Sequence, residues 1–328
     1  MVPSARAAAA QLPAGPGVYR FRDARNRTLY IGKAVNLRRR VTSYWGDLRD
    51  RQHLLPMVRQ IARVEAVVCQ SEHEAAWLER SVLERRTPPW NLTAGGQEVE
   101  VIIRLDESAR SSGLTVVHTA DHAGSGIPAA SIRYFGPYLG GARVRLAAAG
   151  LERIYPLAYA ADRHRGTARD LAGLRGVDGS DRGRLATALA AVLDRDRAAV
   201  ASLTSQLAAR RDAAAGTEVF ELAARIQAEL AAVEWITCPQ RLASLDHQDI
   251  DVAGWTAGLL VRFEIRAGRM CGWRQTPISY EQAQPWLAAT PPSWVDFAQR
   301  NALLAARLAG DTPPCQAEKR RSTKPGLV

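Results

Sequence analysis

One carboxylate, two cations and three phenols in the first quarter of the chain have types and spacings that could do chemistry: Glu79, Lys33 and Arg40, and Tyr19, Tyr30 and Tyr44. Glu79 is the sharpest of them. Ser71-Glu72-His73-Glu74 has the form of a capping box, with the serine accepting from the third backbone N–H and Glu74 reaching back. In the helix this predicts, Ala75, Ala76, Leu78, Val82 and Leu83 form an apolar stripe with Glu79 in its middle, while Glu74, Arg80 and Glu84 lie off it. An ionised carboxylate on a buried face is costly unless it is paired or holds a metal. Glu79 therefore either bridges to Arg40 for structure alone or sits beside a metal and faces a basic cleft; the second reading is the stronger.

These side chains need elements to position them. Gly17-Val18-Tyr19 and Tyr30-Ile31-Gly32-Lys33 are short apolar runs on either side of the turn-rich Asp23-Ala24-Arg25-Asn26, which predicts a β-hairpin. Beyond it, Ala34, Leu37, Val41 and Tyr44 recur at three- and four-residue spacing, the face of a helix. At about 100° per residue, Lys33, Arg40 and Tyr44 fall on one edge of that face. The run Arg38-Arg39-Arg40 reads by itself as a solvated surface; its place beside Tyr30 and Lys33 argues for function.

The stretch resembles a GIY-YIG nuclease domain, specifically the one at the N-terminus of the UvrC family of ABC excinucleases. Leu12-Pro13, Gly15 to Tyr19, Tyr30 to Ala34, Asn36-Leu37, Arg40-Val41, Ser43-Tyr44, Glu72, Glu74-Ala75, Leu78-Glu79 and Asn91 carry the likeness in order. The resemblance implies a metal-dependent DNA endonuclease of nucleotide excision repair, cutting a phosphodiester beside a lesion. Glu79 would hold a single Mg²⁺ or Mn²⁺, a hard cation that needs one or two carboxylates and keeps its waters. Tyr30 would be the general base, its pKa pulled down by Lys33 and the metal. Arg40 would bind the phosphoryl oxygens, and Tyr19 and Tyr44 would position water or substrate. Gly32 would let the backbone turn closely beside the phosphate, and Asn91 would brace the site.

The length of 328 residues accommodates two or three modest domains, and 47% hydrophobic composition allows real cores. The net charge of +11, from 44 Lys+Arg against 33 Asp+Glu, suits a polyanion such as nucleic acid, although abundant arginine also accompanies a GC-rich genome. The apolar runs fall short of a membrane span, and the first residues lack the pattern of a secretion signal. Cys69, Cys238, Cys271 and Cys315 are scattered, without metal-ligand spacing, and read as reduced thiols in a cytoplasmic protein.

The expected class is α+β. Residues 12–95 form the nuclease domain, 96–183 a mixed linker region, 184–238 a helical hairpin, 239–310 a small β/α segment and 311–328 a basic disordered tail. In the linker region, strands are expected from Gln97 to Leu105 and from Leu114 to His118. Thr93 to Gln97 departs from the basic and acidic loop of the resembled family. Tyr134-Phe135-Gly136-Pro137-Tyr138 reads as a turn between a strand and a helix. The resembled family holds an iron–sulfur centre on cysteines between the positions of Ile154 and Arg184. This chain has no cysteine between Cys69 and Cys238, so no such cluster is expected. His164 in that loop reads as a surface residue.

Two helices follow, striped by Val200, Leu203 and Leu207 and by Val219, Ala223, Ile226, Leu230 and Val233, with a break expected from Asp212 to Thr217. Phe220, Glu221, Ala224 and Arg225 lie in a segment similar to the UVR motif, by which UvrC proteins bind UvrB; a scaffold helix packed on its own neighbours is the alternative. Leu259 to Ile265 and Met270 to Trp273 predict a strand pair, Asp246 to Asp251 a polar loop, and Trp294 to Leu308 an amphipathic helix. The likeness stops near Trp273, as in the short Cho-type homologues that carry one nuclease centre and cut on the 3′ side. The partners this implies are damaged double-stranded DNA and UvrB, with no membrane. The alternatives are a non-catalytic adaptor for UvrB and DNA, and a nuclease independent of UvrB.

Overall fold

The computed structural model describes residues 4–46, 49–92, 98–108, 111–122, 130–160 and 167–310. Three expectations therefore lie outside the described residues: the loop from Thr93 to Gln97, His164, and the tail from residue 311. The chain divides into two compact units, one within residues 1–96 and 246–328 and the other within 97–245. The sequence-based division groups differently here: segment 239–310 folds mostly with segment 12–95, and segments 96–183 and 184–238 fold together.

The first unit opens with α1 (Ala5–Ala10), then β1 (Gly17–Arg22) and β2 (Thr28–Ala34), the expected hairpin, with Gly17 opposite Ala34 and Phe21 opposite Tyr30. Next come α2 (Leu37–Thr42), the short α3 (Leu55–Val58), β3 (Arg63–Val68) and α4 (Glu72–Arg85). The sheet order is β2-β1-β3, all antiparallel. As the central strand, β1 is covered on both faces. Tyr19 and Phe21 join a core with Leu12, Leu37, Val41 and Tyr44, whereas Arg20 points the opposite way.

The second unit holds β4 (Glu100–Asp106), β5 (Leu114–His118), α5 (Thr119–His122), β6 (Ile132–Leu139), α6 (Gly141–Ile154), α7 (Thr167–Leu174), α8 (Arg182–Leu193), α9 (Arg197–Gly216) and α10 (Phe220–Thr237), with sheet order β5-β4-β6. The segment from Tyr134 to Tyr138 lies inside β6 and is not a turn. Val101 pairs with Tyr138 and Ile103 with Phe135, so Gly136-Pro137, joined by a cis peptide bond, forms a bulge where proline's missing N–H costs the ladder nothing.

The two long helices form the expected antiparallel hairpin, but α9 continues through Asp212 to Gly216. Alanine-rich Ala213 to Ala215 favours helix strongly, and the chain turns only at Thr217 to Val219, where Glu218 takes a positive φ of 61°. The hairpin is built into its unit. Leu203, Leu207, Ile226, Leu230 and Val233 share a core with Val144, Ala147 and Leu151 of α6. Fully buried Glu229 of α10 accepts two hydrogen bonds from Arg153 of α6, at 2.6 and 2.7 Å.

The chain then returns to the first unit as β7 (Ile250–Thr256), β8 (Leu259–Arg266), β9 (Arg269–Pro277), α11 (Tyr280–Ala288) and α12 (Pro292–Ala309). The strand β7 takes over part of the expected loop. Asp249 accepts from the Ala267 amide and Asp251 pairs with Arg266, so both carboxylates secure the strand pairing.

This return braces the β2-β1-β3 sheet. Arg20 pairs with Glu65 on β3, lies 4.2 Å from the Trp273 ring centroid and donates to the Trp273 carbonyl. Desolvation lowers its pKa to about 10, while Glu65 opposes that fall. Asn301 of α12 accepts from Val68 N–H at 2.7 Å and donates to Val68 C=O, closing the outer edge of β3. Among the described residues no helix is long and apolar enough to cross a membrane.

Candidate active site

The site forms where the end of β2 meets α2 and α4. Asn36 caps α2, its side chain accepting from Arg39 N–H, so the helix begins after Lys33. Lys33 therefore projects from a strand, which corrects the expectation that it shares a helical face with Arg40 and Tyr44. Tyr44 lies in a 3₁₀ turn (Ser43–Trp45) that continues α2. The hydroxyls of fully buried Tyr19 and Tyr44 share a hydrogen bond of 2.8 Å. The Tyr30 ring lies 6.2 Å from that of Tyr19 and 6.1 Å from that of Tyr44. Phe21 floors the cluster, edge-on to Tyr44 at 4.9 Å; its signal in the sequence is the alternation along β1.

Gly32 makes this stacking possible. A Cβ there would lie 2.6 Å from the Tyr19 hydroxyl oxygen and 2.9 Å from a Tyr30 ring carbon. Its φ is ordinary, so the glycine supplies room for two tyrosines and not the close turn expected from the sequence.

Glu79 reaches across from α4. Its Oε1 accepts from Lys33 N–H at 2.9 Å, and its Oε2 lies 3.8 Å from Lys33 Nζ. The cation beside it is thus Lys33, and not the Arg40 of the purely structural alternative. With 21% of its side chain exposed, Glu79 stands at the rim of the core. The carboxylate buried on α4 is Glu74, whose Oε2 accepts from Gln70 N–H, one residue before the cap. Asn91 does brace the strand: its amide accepts from Ile31 N–H at 3.0 Å and donates to Ile31 C=O at 2.8 Å.

Charges meet at Tyr30. Burial pushes its phenol well above the ordinary range, Tyr44 and Glu79 add to the rise, and Arg40 opposes it. The Lys33 ammonium faces Glu79, 3.8 Å from its Oε2. Partial burial works against the charge on Arg40, but Tyr19, Tyr44 and Tyr30 more than offset it; the guanidinium lies 5.6 Å from the Tyr44 ring centroid. Tyr30, Arg40 and Glu79 thus interact electrostatically at one end of the sheet, with Lys33, Tyr19 and Tyr44 around them.

The partner-binding candidates lie elsewhere, in the second unit. Phe220, Glu221, Ala224 and Arg225 are exposed on the first turns of α10, and Arg225 also pairs with Glu229 at 3.3 Å.

The β2-β1-β3 sheet with its tyrosines, the arginine of α2 and the glutamate of α4 lie in the stretch that comparison with known families assigns to the GIY-YIG class. Residues 15–92 match the family model of the UvrC-like GIY-YIG domain. The chain's relatives are UvrC proteins: it is 30% identical over 293 residues to UvrABC system protein C of Anaeromyxobacter sp. (84% of this chain, 40% of the relative) and 31% over 300 residues to that of Corynebacterium aurimucosum (82% and 41%). With the Geobacter metallireducens protein it shares 34% identity over 149 residues, covering 45% of this chain and 23% of that one. The chain thus spans less than half the length of these curated relatives. Among solved structures, the N-terminal GIY-YIG endonuclease domain of Thermotoga maritima UvrC, bound to its catalytic divalent cation, magnesium, aligns at 29% identity and a TM-score of 0.23, covering 26% of this chain and 91% of that one.

Proposed function

We propose that this chain is a divalent-metal-dependent DNA endonuclease of nucleotide excision repair, hydrolysing a phosphodiester on the 3′ side of a lesion with UvrB as its partner. The observation that carries the reading is the gathering of Tyr30, Arg40 and Glu79 at one end of the β2-β1-β3 sheet. The UvrC-like domain match supports the class of reaction.

Glu79 fits a single hard cation. It is a half-buried carboxylate open to solvent, with one oxygen anchored by a backbone N–H. Mg²⁺ or Mn²⁺ commonly binds one or two carboxylates and keeps its waters. When bound, such an ion supplies charge neutralisation at the phosphoryl group and the leaving oxygen.

The chain's own residues do the rest. Arg40 holds the phosphoryl oxygens with its fork of donors. Tyr30, after giving its own proton to solvent, would take the proton of the attacking water as the phenolate. Burial and Tyr44 do most to keep Tyr30 a phenol and Arg40 opposes them; the negative charge of Glu79 adds a smaller part, which a cation on that carboxylate would remove. Tyr19 and Tyr44, bonded to each other, fix the position of the phenolic cluster, and Asn91 fixes the strand that carries Tyr30. UvrB would dock on the start of α10, where Phe220 is 66% exposed beside exposed Val219 and Leu222.

The test is nicking of an end-labelled duplex carrying one lesion, with and without Mg²⁺ and UvrB. Metal-dependent incision 3′ to the lesion, stimulated by UvrB and abolished in Tyr30→Phe, supports the reading. Binding without incision would leave the adaptor in its place, and incision indifferent to UvrB would leave a nuclease that acts alone.

A further inference from the structure

The second unit contains a cavity that the nuclease chemistry does not use. It measures about 700 Å³, within the range typical of small-molecule sites, and lies between α6, α7, α9 and the start of β5. Glu152 of α6 lines it. Its Oε2 accepts a long bond of 3.4 Å from the Ala158 amide, its Oε1 is buried without a well-formed hydrogen bond, and the Leu114 N–H and the charges of Arg175 and Arg182 stabilise the carboxylate only in part against burial. A buried carboxyl oxygen left in that condition is costly and calls for a donor.

Two cations stand at the exposed rim of the same cavity. Arg175 lies over the Tyr159 ring, 4.2 Å from its centroid. Arg210 donates through Nη1 to the Arg153 carbonyl at 2.7 Å, and a guanidinium carries five N–H donors in all. Arg153 also lines the cavity, but its charge is engaged by Glu229. The cavity thus presents anion donors at its exposed rim, an aromatic side chain, and a largely buried carboxyl group whose hydrogen bonds are long or poorly formed.

We propose that this cavity binds a nucleotide unit, its phosphate on Arg175 and Arg210 and the polar edge of its base on the Glu152 carboxyl. Burial raises that carboxyl to about 7, so near neutral pH it can either accept from a base N–H or donate to a ring nitrogen. Nucleobases offer both kinds of group on one edge. The same chemistry could come from a free mononucleotide or from a nucleotide displaced out of a DNA strand.

The experiment titrates the full chain, without metal, with each deoxynucleoside 5′-monophosphate, with 2-deoxyribose 5-phosphate, and with a labelled single-stranded oligonucleotide. Wild type is compared with Glu152→Gln and with Arg210→Ala, the latter an exposed change that leaves the core alone. Saturable one-site binding is expected, weakened at least about tenfold by Arg210→Ala for every phosphate ligand. Glu152→Gln should weaken the base-bearing ligands by a similar factor and leave 2-deoxyribose 5-phosphate unchanged. Mononucleotide binding with this pattern assigns the cavity to free nucleotides, and the pattern on the oligonucleotide alone assigns it to a displaced one. Absence of saturable binding at millimolar concentrations, or binding that neither variant changes, overturns the proposal. The nuclease centre is intact in both variants, so the outcome does not depend on it.

Discussion

Gly32→Ala puts the geometry of the tyrosine cluster to a quantitative test. The new methyl carbon would lie 2.6 Å from the Tyr19 hydroxyl oxygen, 2.8 Å from its ring carbon and 2.9 Å from Tyr30. Comfortable carbon contacts begin near ~3.5 Å, so relief requires one or both rings to shift by roughly 1 Å. Tyr19 cannot give way freely, because it is fully buried and its hydroxyl is bonded to Tyr44. Overpacking of this kind costs about 1–3 kcal/mol, offset by roughly 0.5 kcal/mol from the stiffer unfolded chain. A catalytic group displaced by that distance loses on the order of 100-fold in rate. Gly272→Ala is the control: it lies in β9 of the same unit, and a Cβ there meets no atom within 4 Å. The assays are urea denaturation of both variants and the rate of nicking of a damaged duplex. Gly32→Ala should lose stability and most of its activity, and Gly272→Ala neither. A Gly32→Ala protein that matches Gly272→Ala in both assays would refute the packing argument.

Asn301→Ala should cost about 1–2 kcal/mol in urea denaturation, because it strands the half-buried Val68 amide and carbonyl that the asparagine satisfies. Arg153→Ala leaves the fully buried Glu229 carboxylate without its bidentate partner and should destabilise by about 3–5 kcal/mol, whereas Arg153→Met with Glu229→Leu should lose much less. The Glu152 carboxyl is raised from 4.5 to about 7 on folding, so its contribution to stability is present below about pH 4.5 and is lost as pH rises through 7. Glu152→Gln should remove that slope, up to roughly 3 kcal/mol, and a wild-type stability curve parallel to that of the variant across this window would refute the assignment.

What the sequence discloses is local. The hairpin, the cap at Ser71 and the helix from Trp294 follow from spacings of two to four residues. The likeness of an ordered set of residues then brings Tyr30, Arg40 and Glu79 together. The pattern misleads where two periods overlap. Ala34 continues the three- and four-residue spacing of α2 yet belongs to β2, so periodicity puts Lys33 on the wrong element. Gly136-Pro137 looks like punctuation until a bulge in the facing register absorbs it. Asp212 suggests an early end to α9, but the alanines that follow it outweigh that signal. Long-range partnerships leave no local trace. Asn301 meets Val68 across 233 positions, and the Trp273 carbonyl meets Arg20 across 253. The return of the segment from β7 to α12 to the β2-β1-β3 sheet is a tertiary fact that no window of sequence contains.

The central claim is that Glu79 supplies the carboxylate on which a divalent ion depends at the Tyr30 and Arg40 end of the sheet. Mn²⁺ titration of the full chain, followed by electron paramagnetic resonance of the free ion, measures this directly. One Mn²⁺ site should be present in wild type, retained in Tyr30→Phe and lost in Glu79→Gln. A Glu79→Gln protein that is folded and binds Mn²⁺ as tightly as wild type would contradict it.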